Sequence, residues 1–323
     1  MLLYQISAGD PVTARVMGGL RKNAPIIDVL HFFRQPGSGA HERYGDDIDG
    51  TFDTRGIGND FDTQTVAPGY GDFALKIIGK NIRLDTAYEE RGGDVPSEFL
   101  LKLDNWSENG GRDLMSQFIN GDSDADDGAT PPVNLGQFDG LRKHIATLVT
   151  AGDSTRVISL GSAGLQVALG NDTTARLAQQ KFVEGLENLI ESIDGGADCL
   201  MMDGRLLTRL STVARDQCVI SLNEFGARIA SYNGVKIIPT GRKYDGSRII
   251  PFNETVGAST DCGSVFAFKS AEKAHLTAMT TNVGLKVYPM QKIGNFYQHT
   301  VQLQLDVKPL SKRCVAKLAG VRI

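Results

Sequence analysis

No stretch of this 323-residue chain approaches the ~20 consecutive apolar residues of a membrane-spanning helix. The opening Met1-Leu2-Leu3-Tyr4-Gln5-Ile6, soon followed by Asp10 and Pro11, lacks the charged start and long apolar run of a signal peptide. Cysteine is scarce: Cys199, Cys218, Cys262 and Cys314 lie far apart, and no two have the short spacing of a zinc or redox motif. They read as reduced, buried thiols, which suits synthesis in a reducing cytosol. Catalytic signatures are also missing. Gly79-Lys80 is not a phosphate-binding loop, because Ala74 stands where the upstream glycine is needed and Asn81 follows the lysine. Gly56-x-Gly58 lacks its third glycine, and neither G-x-S-x-G nor H-E-x-x-H occurs. Net positive charge is absent too. At −4 the chain is not a dedicated nucleic-acid binder, although one face could still touch DNA loosely.

The residues that could ligate a metal do not cluster. Asp28 precedes His31 and Glu272 precedes His275 by three residues, without an obvious third ligand, and His41-Glu42, His144 and His299 stand apart from them. Asp122, Asp124 and Asp126 have the spacing of the first ligands of a calcium loop. Such a loop needs glycine sixth and glutamate twelfth, and here those places hold Asp127 and Val133. A solvated acidic turn is expected, and no metal or cofactor.

What is present is enough apolar residue, 41%, for a substantial core in one large domain or two smaller ones. Residues 1–35 contain a short helix near Pro11 to Leu20, then the apolar patch Pro25 to Phe33, which reads either as an arm packing on a neighbour or as a first core element. Residues 42–62 carry Glu42, Asp46, Asp47, Asp49, Asp53, Asp60 and Asp62 against Arg43 and Arg55, with few aliphatics, so they cannot order themselves by burial. Phe73 to Ile78 and Asn81 to Leu84 read as strands, so that 36–86 forms a two-stranded excursion with a polar tip. Phe99, Leu103, Trp106, Gly110, Leu114 and Phe118 predict a helix over 97–119, roughly 35 Å long. Asp94 and Pro96 suit its start, while Gly110-Gly111 point to a break or to close helix packing. A second helix covers 172–193, ended by Gly195-Gly196. Then come a buried strand, Cys199 to Met202, and a helix capped by Asp203 with Arg205, Arg209 and Arg215 on its polar side. Beyond 217 the pattern is mostly β: Val235 to Pro239 with a proline stop, Val265 to Phe268, and a last strand from Cys314 to Ile323. Val301, Leu303, Leu305 and Val307 alternate with Gln302, Gln304, Asp306 and Lys308, the mark of a half-buried strand.

Several phrases, in order, resemble the major capsid proteins of tailed bacteriophages with the Hong Kong 97 fold. Asn23-Ala24-Pro25-Ile26-Ile27-Asp28-Val29-Leu30 resembles the segment before the family's extended loop, and Ala74-Leu75-Lys76-Ile77-Ile78-Gly79 its returning strand. The helix ending in Phe118-Ile119-Asn120-Gly121-Asp122 resembles the spine helix, with Phe138-Asp139-Gly140-Leu141 after it. Ala197 to Asp203 resembles the centre of the axial domain, and Tyr232-Asn233-Gly234-Val235-Lys236-Ile237-Ile238-Pro239 a frequent strand there.

The resemblance implies an α+β fold with an N-terminal arm (1–35), an extended β-hairpin loop (36–86), a peripheral domain with a long spine helix (87–142, with strands from about 283–310) and an axial domain (143–282), to which 311–323 returns. It implies a non-enzymatic head protein that self-assembles into hexamers and pentamers of an icosahedral shell around double-stranded DNA. Its place would be the virion capsid, assembled as a procapsid in the host cytoplasm. Its partners would be further copies of itself, a separate scaffolding protein, a portal and, non-specifically, packaged DNA, with no membrane. An encapsulin-type compartment shares the fold and is the alternative; a soluble α/β enzyme of unknown chemistry is more remote. Some members cross-link a loop lysine to an asparagine next door; Lys76 and Lys80 lie near the right segment, but no partner is identified and no bond is expected. The assembly contacts singled out are Asp46, Asp47, Asp49 and Asp53, with Arg55 among them, meeting basic groups of an adjacent subunit. On this reading the leading third gains order only when draped over neighbours.

Overall fold

The computed structural model describes residues 2–3, 5, 10–34, 39–43, 69–124, 137–222, 228–272 and 274–323. Among them no helix is long and apolar enough to cross a membrane.

Helix α1 (Pro11–Asn23) starts on Asp10, whose carboxylate accepts from the Thr13 N–H at 3.1 Å, and on a proline at its first position. It lies along α2 (Val95–Asn120), the 26-residue spine. Asp94 occupies the N-cap position of α2 without a side-chain cap bond. The spine runs unbroken through Gly110-Gly111. A Cβ on Gly111 would stand 2.7 Å from the Leu20 carbonyl oxygen, and one on Gly19 would stand 1.9 Å from Ser107 Oγ. Gly111 of the doublet therefore serves close helix packing, whereas a Cβ on Gly110 would make only ordinary contacts, the nearest at 3.6 Å. Ser107 and Gly111, one turn apart, form a small-residue groove in which α1 rests.

A five-stranded sheet packs under these helices. Its strands are β1 (Phe32–Arg34), β4 (Lys76–Asp85), β13 (Leu276–Val287), β14 (Gln291–Ile293) and β15 (Phe296–Pro309), and β15 lies between β4 and β13. Strand β4 pairs with β15 from Lys76↔Leu305 to Asp85↔Phe296. The two strands expected over 73–84 thus form one, entered after β3 (Gly69–Phe73), which pairs with β2 (Gly39–Arg43).

The second sheet contains β5 (Val157–Ser159), β6 (Leu165–Gln166), β7 (Cys199–Asp203), β8 (Cys218–Leu222), β9 (Arg228–Tyr232), β10 (Val235–Thr240), β11 (Glu254–Val256), β12 (Ser259–Phe268) and β16 (Val315–Arg322). Both faces are covered, which explains the unbroken apolar run of β7. Leu200 and Met202 face α4 (Thr173–Glu191) and α5 (Gly204–Val213) in one cluster, with Phe182, Leu186 and Leu206. Cys199 and Met201 join the other cluster, which holds α1, α2, α3 (Leu141–Thr150) and the five-stranded sheet. Phe118 of α2 meets Phe268 edge-on at 5.9 Å across this seam. Pro239 does not stop β10: it pairs with Met202 in the parallel ladder, and the strand ends one residue later.

Two expectations need correction. Residues 10–34 are not an arm awaiting a neighbour. Val16, Leu20, Ile26, Ile27, Leu30 and Phe32 are all at most 3% exposed and sit in the subunit's own core. The apolar patch is a single 3₁₀ turn (Pro25–Asp28) leading to β1, which takes the edge beside β13. Nor does Asp306 face water: it is 2% exposed. Its carboxylate accepts from the Ala74 N–H at 2.8 Å and from the Val307 N–H at 2.9 Å. Burial pushes its pKa up.

The buried Asp203 caps α5 by accepting from the Arg205 N–H at 2.9 Å and takes Arg248 Nη1 at 2.5 Å. Replacing Arg248 by methionine would leave a fully buried carboxylate without its main counter-charge. A loss of ~2–3 kcal/mol is expected in a denaturant melt, below the full buried-pair figure because Arg248 keeps some solvent contact. An unchanged midpoint would show that the capping N–H and the Arg205 guanidinium, 3.5 Å away, suffice.

Candidate assembly surfaces

Asp46, Asp47, Asp49, Asp53 and Arg55 lie outside the described residues, so their contacts rest on the sequence alone. What the structure does define is the root of the segment that carries them. Gly39↔Phe73 through Arg43↔Gly69 pair as an antiparallel ladder. Phe73 is buried against Phe33, edge-on with ring centroids 5.3 Å apart, and clusters with Met279 and Leu310. One residue on, the Asp306 carboxylate holds the Ala74 N–H. A rigid apolar clasp with a charge-assisted hydrogen bond therefore fixes where the hairpin leaves the body.

Beside this root runs a groove of about 770 Å³ between α2 and the β4–β15 ladder. Leu20, Ile82, Trp106, Leu114, Leu285 and Leu303 lie in its apolar lining. Lys80, Arg83 and Lys102 line it as well, and Tyr244, 80% exposed, reaches it from the loop after β10. On the other flank of α2 the cations are paired: Arg15 with Asp104 and Lys22 with Glu108. Further exposed apolar residues gather on the turns around β14, namely Met290, Ile293 and Phe296, and on β8, namely Val219 and Ile220. Strand β8 is the edge of its sheet.

Among the described residues, none of the sequence's chemical candidates assembles into a reactive centre. Asp122 and Asp124 both hold Lys143 Nζ, at 2.9 and 3.0 Å, and their hydrogen bonds push the ammonium's pKa up. A side-chain cation thus occupies the acidic turn; Asp126 lies outside the described residues. Among the described residues no three His, Cys, Asp or Glu side chains converge on a metal-sized point. All four cysteines are buried thiols outside any disulfide, and burial raises the Cys199 thiol. Glu254 is the most heavily engaged carboxylate. Burial pushes it up, but Arg142 at 2.6 Å, Lys317 at 2.9 Å and the Ser264 hydroxyl outweigh this and hold it below its ordinary range. It ties β11 to α3 and β16, a structural role.

No protein-family profile and no protein of curated function matches the sequence. Solved structures do. The holo-SrpI encapsulin complex from Synechococcus elongatus PCC 7942 aligns with a TM-score of 0.59 at 12% identity, covering 93% of this chain and 88% of that one. The capsid of the empty GTA particle aligns at 0.56 and 11% identity, over 93% and 90%. The structure of Gordonia phage Cozz aligns at 0.52 and 12% identity, over 93% and 87%. The chain therefore has the Hong Kong 97 fold: a spine helix over a long-stranded sheet, a hairpin leaving the root of that sheet, and a second sheet sandwiched between helices. Phage capsids and an encapsulin share it at near-equal similarity.

Proposed function

We propose that this chain is the repeating subunit of a closed protein shell, and more particularly the major capsid protein of a tailed bacteriophage. The observation that carries the reading is the hairpin rooted at Phe73 and Asp306. Between the paired Arg43 and Gly69 the sequence places a long acidic segment of 25 residues, 44–68, and a shell subunit needs such a reach to a neighbour. Repeated heterologous contacts of that kind close into rings, here hexamers and pentamers. The peripheral and axial divisions at 87–142 and 143–282, the packaged double-stranded DNA, a scaffolding protein, a portal and assembly in the host cytoplasm all belong to this proposal. So does the absence of catalysis.

Electron microscopy of the purified, overexpressed chain tests it: closed shells or capsomer rings are expected. A persistent monomer under every assembly condition would defeat the shell reading. The encapsulin alternative is favoured by one observation, the alignment with the SrpI complex. Particles that co-purify with a specific protein cargo and protect no DNA would decide for it.

Within the shell reading, Asp46, Asp47, Asp49 and Asp53, with Arg55 nearby, meet basic groups of an adjacent subunit. Changing the four aspartates to lysine is expected to leave soluble subunits that fail to close. Complementary charge here sets register and encounter more than affinity, so the defect should deepen at low salt. Normal particles from this variant would remove the acidic segment from the assembly contacts.

A further inference from the structure

We propose that strand β8, the free edge of the second sheet, pairs with β8 of another copy of this chain in a two-fold antiparallel contact. The contact stands on this sheet alone, so it holds whether or not the copies go on to close a shell.

Strand β8 ends the nine-stranded sheet, with β9 on one side and, among the described residues, no strand on the other. Exposed edges are normally blunted by charge, proline or a bulge, because their open backbone groups invite pairing. The other sheet follows this rule at its edges: β1 ends in Arg34, and β4 carries Lys76, Lys80, Arg83 and Asp85. Strand β8 does not. It reads Cys218-Val219-Ile220-Ser221-Leu222, without charge or proline, and its ladder with β9 runs without a register shift. Val219 is 57% exposed and Ile220 55%. Successive strand residues point to opposite faces, so β8 presents apolar surface on both. The matching occupant is another uncharged strand with apolar side chains on both faces, and β8 itself has that composition.

The hydrogen-bond phase says which backbone groups are open. The Asn233 N–H donates to the Gln217 carbonyl at 3.1 Å, one step beyond the β8–β9 ladder. Bonded pairs alternate along an antiparallel ladder. Val219 and Ser221 therefore bond β9, and Cys218, Ile220 and Leu222 turn their backbone groups to the free edge. The Ala214 carbonyl already takes the Cys218 N–H, at 2.9 Å. This leaves the Cys218 carbonyl and both groups of Ile220 and Leu222. A two-fold axis at Ile220 matches them over all five residues. Each Ile220 N–H donates to the Ile220 carbonyl across the axis, and each Leu222 N–H to the Cys218 carbonyl opposite. Ile220 then packs on its own counterpart, and Val219 lies opposite Ser221 on the other face. An isologous pair closes after two copies and cannot grow into a filament, so it covers an edge that has no protection of its own.

Sedimentation of the unassembled subunit, held below the concentration at which particles form, tests the contact: a dimer is expected. Ile220→Lys sets like charges face to face at the axis and should weaken the dimer at least tenfold. Its far-UV circular dichroism should not change, because Ile220 is exposed in the subunit. Ile220→Cys treated with oxidised glutathione should give a disulfide-linked dimer on a non-reducing gel, since directly opposed strand residues stand within disulfide reach and the native thiols are buried. Ser221→Cys, which faces Val219, should link far less. A subunit that stays monomeric would give the edge to a strand of some other protein and overturn the proposal. So would a dimer indifferent to Ile220→Lys, or equal cross-linking of the two cysteine variants. Should Ile220→Lys fail to fold, the cysteine variants decide.

Discussion

Replacing Gly111 by valine is expected to deplete the subunit from the soluble fraction, with a loss of ~3 kcal/mol or more where folding can still be measured. The cause is local and rigid. The added Cβ would sit 2.7 Å from the Leu20 carbonyl oxygen and 3.1 Å from Asn23 Cβ, and the nearest atom is backbone that no rotamer change can move. The two helices would have to separate, and Val16, Leu20 and Leu103 would lose contacts in the larger core cluster. Against a net stability of ~5–15 kcal/mol, that is a large share. The control is Gly18→Ala. Gly18 is in the partner helix α1, yet a Cβ there would meet nothing within 4 Å, so alanine should raise stability by up to ~1 kcal/mol through helix propensity. Gly111, at the helix contact, and Gly18, on the exposed side of α1, would thus respond in opposite directions in the same denaturant melt. A tolerated Gly111→Val would mean that α1 does not rest on α2 as described.

This pair also shows where sequence reasoning reaches and where it stops. The long amphipathic elements are legible because one face carries the whole signal. Phe182, Leu186 and Leu189 repeat at helical spacing, and Asp172 caps α4 by accepting from the Ala175 N–H. Gly110-Gly111 could be read only as a choice, a break or a close approach, because the Leu20 carbonyl that decides it comes from a helix some ninety residues earlier. Asp306 was assigned to the wet face by strict alternation along its own strand. Nothing in β15 announces that the N–H of Ala74 arrives from the hairpin root to satisfy its carboxylate. Helix α3 carries a helical period in Leu141, Ile145 and Leu148, but ten residues are too few for that pattern alone to separate a helix from the loop before it. The acidic segment was legible by charge alone. The groove between α2 and β4 was not, since Lys80, Lys102 and Tyr244 belong to three separate elements that only the fold brings together.

Stability is expected to fall as pH drops from ~6.5 toward 4, and His144 is the cause. This histidine is buried in α3, with Nε2 2.9 Å from the Val307 carbonyl oxygen, so the neutral ring donates there. Burial, and to a lesser degree the Lys308 charge, pushes its pKa down to about 4, against the pull of Asp139 and of the backbone bonds. The unfolded chain takes up this proton near the ordinary value of 6.5, and the folded chain takes it up only near 4. Between those limits the unfolded state binds more protons, so acidification favours unfolding by up to ~3 kcal/mol in total, and raising the pH restores stability. Two carboxylates, the half-buried Asp139 and the buried Asp306, surround the effect. Asp139 is pushed up by burial, but the Ser123 N–H and hydroxyl and the nearby His144 and Lys143 charges bring it below its ordinary range, so its stabilisation fades only at still lower pH. Asp306, raised by burial, acts in the opposite sense: its ionisation costs stability as pH rises through its folded value, which opposes the histidine slope. His144→Gln keeps a donor for the Val307 carbonyl and removes the titration. Its melting temperature should therefore vary much less than the wild type between pH 6.5 and 4. If both proteins lose stability in parallel over that interval, the acid sensitivity lies elsewhere and the buried imidazole is not its source.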